Sequence, residues 1–157
     1  MVSNNRRFSS TPDRLIRTAT RYHRETQKCL RGKAYLAAVV MQVAILEASL
    51  QAMCAIYADA VKGTVVYQKK RFRKKRNRAL EFNLSELISI ARELRWFPLK
   101  QFRWAGKRAD VAGFTHEVRK LRNFVHPSRM AMERGDPTNF SKGVYDVVHE
   151  VFDVSSS

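Results

Sequence analysis

Apolar positions recur along this chain at the three- and four-residue steps of amphipathic helices, and they predict five helical segments. The first is opened by Thr11 as cap, Pro12 at the first helical position and Asp13 at the positive end. It stops at Gly32, after Lys28 and Arg31. Leu15, Ala19, Tyr22 and Cys29, with Ile16 and Leu30, supply its apolar side. The second runs from about Lys33 to Lys62 and ends at Gly63; its near-continuous apolar character makes it the spine for the others. Periodicity is lost between Thr64 and Phe82, which predicts a loop or a helix that forms only on contact. A third helix follows from about Leu84 to Trp96, with Asn83 as cap and Glu86 completing a capping-box pattern. Trp96 to Arg108, with Pro98 and Gly106, reads as irregular. A fourth helix, about Ala109 to His126, is ended by Pro127, and a fifth spans about Asn139 to Val154 behind Thr138 or Asn139. No strand pattern and no internal repeat is visible.

The expected fold is therefore all-α: a single-domain bundle of four to five helices over residues 11–154, with a flexible basic arm at 1–10, a basic loop at 64–82 and a tail at 155–157. A length of 157 residues suits one core, and 45% hydrophobic residues with only six glycines and four prolines exclude a disordered chain or a turn-rich sandwich. Cys29 and Cys54 have no paired spacing and no His/Cys cluster beside them, so no disulfide framework, metal site or cofactor is expected. Ala34 to Ala58 has the length of a membrane span, but Gln42, Glu47, Ser49 and Gln51 interrupt it. A charge at mid-span is expensive in lipid, which favours a buried bundle helix. No apolar run follows the basic N-terminus, so the expected location is cytoplasmic.

Charge changes this picture. The net +16 is regional: residues 1–59 carry +5, residues 60–108 carry +12 and residues 109–157 carry −1. A solubility surplus would be spread evenly, whereas a polyanion site concentrates cations, because each neutralised phosphate releases counterions. On the first helix Arg14, Arg17, Arg21, Arg24, Lys28 and Arg31 alternate steps of three and four and fall on one stripe, roughly 25 Å long at about 1.5 Å per residue. Only Asp13 and Glu25 oppose it, which favours nucleic-acid contact over an ordinary solvated face. A second basic feature is the run 69–78, in which Lys69, Lys70, Arg71, Arg73, Lys74, Lys75, Arg76 and Arg78 make eight cations in ten positions. Such a run could instead address a nucleus or anionic lipid. Aromatic rings interleave with cations at Arg71-Phe72-Arg73 and from Trp96-Phe97 to Phe102-Arg103-Trp104; exposed rings could stack on bases, and buried ones close an end of the bundle.

On the fourth helix Val111, Phe114, Val118, Leu121 and Val125 define a buried stripe, and Arg119, Arg122 and His126 form a second stripe about 100° away. Three cation-capable groups on one rim require an anion. A phosphodiester would supply it, with His126 as general acid or base and arginine stabilising charge on the phosphate, so that RNA is cleaved without metal through its own 2′-hydroxyl. The structural alternative pairs Arg119 and Arg122 with acids elsewhere, Glu47 being the buried candidate.

The string Arg119-Lys-Leu-Arg122-Asn123-Phe-Val-His126-Pro127, after a long apolar helix carrying Ala-Ile-Leu-Glu47, resembles the HEPN superfamily of helical bundles over roughly residues 12–154. The family's motif is an arginine, often followed by a polar residue such as asparagine, then a short spacer and a histidine. The resemblance implies a homodimer with the motif helices at a shared cleft. In active members it implies a metal-independent endoribonuclease, often a toxin or phage-defence effector with a cognate antitoxin or partner subunit, RNA being the favoured nucleic acid. It assigns His126 as acid/base, Arg119 or Arg122 as phosphate stabiliser and Asn123 as polar helper. Three residues separate Arg122 from His126, shorter than the usual family spacing, and six separate Arg119 from it, within that spacing. Non-catalytic relatives of this shape imply the alternative of an RNA- or DNA-binding or accessory module.

Overall fold

Tyr35 to Ile56 holds six alanines and neither glycine nor proline, so nothing in it interrupts a helix. In the computed structural model, which describes residues 6–73, 81–97, 101–104, 107–110 and 113, it is the central element. The order is α1 (Arg6–Arg31), α2 (Tyr35–Ile56), α3 (Ala58–Lys62), α4 (Val65–Arg73), α5 (Leu84–Glu93), then strands β1 (Gln101–Trp104) and β2 (Lys107–Asp110). Helix predominates, in agreement with the all-α class. The expected fifth helix lies outside the described residues, as does the expected fourth apart from Ala109 and Asp110, which are strand rather than helix, and Gly113.

α1 and α2 form a helical hairpin with extensive mutual contact, and α5 packs on α2 from another side. Ala38, Val39, Val43, Leu46, Ala48, Leu50 and Ala52 of α2 are buried, together with Leu84, Leu87, Ile88, Ile90 and Ala91 of α5. Every residue from Tyr35 to Ala55 is at least partly covered. By length and composition α2 could cross a membrane, with a mean hydropathy of 1.7, and 44% of that window is buried. Gln42 is also buried, and its side-chain amide has no hydrogen-bond partner among the described residues.

Several boundaries differ from expectation. α1 begins at Arg6, so Pro12 lies inside it and residues 6–10 of the expected arm are helical. The missing Pro12 N–H removes one backbone hydrogen bond without ending the helix. Gly32 does not supply the left-handed stop. Lys33 does, at φ 56°, with Ala34 N–H donating to the Cys29 carbonyl (2.8 Å) and Lys33 N–H to the Leu30 carbonyl (3.0 Å), a Schellman motif one residue beyond the glycine. The expected second helix is split at Tyr57 into α2 and α3. α4 replaces the first half of the expected basic loop. It is capped by Thr64 Oγ1, which accepts from Tyr67 N–H (3.3 Å), and by the Glu93 carboxylate, which accepts from Val65 N–H (3.1 Å), so an anion sits at the positive helix end.

α5 forms behind the capping box that the sequence predicts: Asn83 Oδ1 accepts from Glu86 N–H (3.0 Å), and Glu86 Oε2 accepts from Asn83 N–H (2.8 Å). It ends at Glu93, short of Trp96, in a second Schellman motif with Arg95 at φ 56°. The stretch expected to be irregular holds an antiparallel hairpin in which Gln101 pairs with Asp110, Phe102 with Ala109, Arg103 with Arg108 and Trp104 with Lys107. Two residues separate strands of only four residues, too few for an alternation to stand out among so many cations. Asp110 Oδ1 then accepts from Gly113 N–H (2.7 Å), and Gly113 is helical; this is the N-cap geometry that the expected fourth helix requires.

Candidate nucleic-acid interface

α1 is built with two opposed faces. Thr26 is fully buried toward α2, its hydroxyl satisfied by donating to the Tyr22 carbonyl (2.9 Å), and Leu15, Ala19, Tyr22 and Cys29 lie half-buried around it. Ile16, expected on this apolar side, is 50% exposed, because one residue of rotation carries it away from α2. At about 100° per residue the six stripe cations occupy an arc of about 100° opposite Thr26. All six, Arg14, Arg17, Arg21, Arg24, Lys28 and Arg31, are exposed.

One of the six has an acidic partner among the described residues: Lys28 Nζ lies 2.8 Å from Glu25 Oε1. That hydrogen bond holds the Glu25 carboxyl below the ordinary carboxylate range. Desolvation opposes it by less than the hydrogen bond contributes, and the charges of Lys28 and Arg21 add smaller lowering effects. The other five guanidinium groups have no ion-pair partner among the described residues. Five guanidinium groups aligned with no ion pair among the described residues repel one another, and a polyanion lying along the face relieves that repulsion.

The second basic feature is divided. Lys69 and Arg71 on α4 are exposed. Lys70 turns inward, its Nζ 2.5 Å from Glu86 Oε2 and 5.1 Å from the centre of the Phe82 ring. It ties α4 to the capping box of α5 and is engaged within the fold. Arg73 is the last residue of α4, and Lys74, Lys75, Arg76 and Arg78 lie outside the described residues.

The rings are placed in pairs. Tyr57 and Trp96 meet with centroids 5.8 Å apart where α2 gives way to α3, and Tyr67 meets Phe82 at 6.4 Å beside Lys70. Sequence reasoning named Glu86 only as the capping-box partner of Asn83 and missed that its carboxylate and that of Glu93 hold α4. The one available signal was Thr64 ahead of Val65-Val66-Tyr67, a cap before an apolar start.

Arg119, Arg122, Asn123 and His126 lie outside the described residues; Glu47 is half-buried on α2. Among the described residues no group of three His, Cys, Asp or Glu side chains could hold a metal ion. Burial pushes the Cys54 thiol up to about 11, which leaves it protonated and unreactive near neutrality. Comparison with protein-family models, with curated proteins and with solved structures finds no match to this chain.

Proposed function

We propose that this protein binds nucleic acid through the exposed face of α1. The observation that carries the reading is the placement of six cations on the side of α1 opposite its buried face, five of them without an acidic partner among the described residues. Contact of this kind is made with phosphates, so it is sequence-tolerant and weakens steeply with salt. Lys69 and Arg71 on α4 are further exposed cations. The resemblance of the string bearing Arg119, Arg122 and His126 to the HEPN motif, which rests on sequence alone, adds the reading that the bound nucleic acid is RNA and is cleaved without metal by a homodimer of a toxin or phage-defence type, in the cytoplasm. The alternative is the same binding without chemistry.

Anisotropy titration of a labelled 20-nucleotide RNA at low and high salt tests binding; absence of binding at low salt removes the reading. Incubation of RNA with pure protein in EDTA tests the chemistry. Cleavage that is lost in His126→Ala supports the ribonuclease, and cleavage unchanged in that variant excludes it.

A further inference from the structure

We infer that the ligand of the α1 face is double-stranded nucleic acid, held by its phosphates and without stacking on its bases. This rests on the reading of that face as a polyanion site and goes further by naming the form of the polyanion. Proteins that hold single strands without sequence preference combine a basic track with exposed rings on which successive bases stack. Between Asp13 and Ala34 the α1 face has no such ring. From Asp13 to Ala34 its exposed residues are the cations together with Asp13, Ile16, Thr20, His23, Gly32 and Ala34. Tyr22 is half-buried on the α2 side, and His23 lies more than about 100° round the helix from the middle of the stripe. Elsewhere Trp96 packs against Tyr57, which is 52% exposed, and Tyr67 packs against Phe82; none of the four lies on α1.

The face also has the stiffness and charge spacing that suit a duplex. An α-helix holds its side chains in a straight row, with cations here about every 5 Å over roughly 25 Å. A single strand would have to be ordered along that row, with no stacking contribution to offset the loss of freedom. A duplex is already stiff over a length of about 50 nm, and it offers one phosphate per about 1.7 Å of axis, so about seven base pairs lie within reach of the row.

The test is a titration of the full chain with three labelled 20-mers of one mixed sequence, as single-stranded RNA, duplex RNA and duplex DNA, at several salt concentrations. The expected result is that one or both duplexes bind at least tenfold more tightly than the single strand. Replacing Arg17, Arg21 and Arg24 by glutamine, with folding checked by circular dichroism, should remove that preference. Equal or tighter binding of the single strand overturns the inference and leaves nucleic-acid binding standing. So does a duplex preference that survives the triple substitution, which would place the duplex site elsewhere. No binding to any probe overturns both.

Discussion

Single residues show where local chemistry is visible in a sequence and where it is not. The Asn83–Glu86 capping box could be read directly, because both partners lie within one helical turn and need no other part of the fold. The helix stops could not. Glycine is the usual left-handed residue, yet Lys33 and Arg95 adopt φ 56°, since the stop position depends on where the next helix must start. A left-handed residue with a Cβ costs roughly 1 kcal/mol. Lys33→Gly should therefore stabilise the protein by about 1 kcal/mol, less what the unfolded chain gains in freedom. Urea denaturation would show a higher midpoint at unchanged slope, and a lower midpoint would count against the Schellman assignment. Cys54 supplies a pH signature. Its folded-state value of about 11 exceeds the ordinary 9.0, so between these values the unfolded chain releases a proton that the folded chain keeps. The stability held below about pH 9 then falls as pH rises toward 11. In Cys29→Ser, alkylation of Cys54 by iodoacetamide should be slow at pH 8 and accelerate toward pH 11; rapid modification at pH 8 would contradict its burial.

Among the elements, α1, α2 and α5 were legible, and α4, the hairpin and the joints were not. α2 announces itself by an apolar run, and α5 by its cap and by apolar residues at helical spacing. α4 was hidden because the groups that hold it are remote in sequence: Lys70 finds Glu86 sixteen residues on, and Val65 N–H finds Glu93 twenty-eight residues on. The hairpin was hidden by its brevity and by the pairing of Arg103 with Arg108, a like-charge pair that sheet preferences disfavour. Two outcomes follow. Glu93→Ala removes an anion and two acceptors from the start of α4, so stability should fall by about 1 kcal/mol. Hydrogen exchange at the Val65 amide should accelerate with it, and unchanged protection there would show that another group caps the helix. Gln42 on α2 is a buried amide with no partner among the described residues. Gln42→Met, close in volume, should raise stability by about 1 kcal/mol in thermal denaturation, whereas a loss would reveal a hydrogen bond made by this side chain.

For the molecule as a whole, two faces of one helix connect fold to function. Helical spacing alone revealed the α1 stripe, because exposure of a row at steps of three and four requires only that the opposite row be buried. The direction of Lys70 was beyond such spacing, since an inward turn depends on tertiary neighbours. The most direct measurement is the salt dependence of nucleic-acid affinity in the unmodified chain and in the variant with Arg17, Arg21 and Arg24 replaced by glutamine. On duplex DNA each phosphate contact contributes about 0.9 to the slope of log affinity against log salt, so three lost contacts should make the slope shallower by nearly 3. Affinity at low salt should fall at least tenfold. An unchanged slope and affinity in the folded triple variant would contradict the assignment of the α1 face as the binding surface.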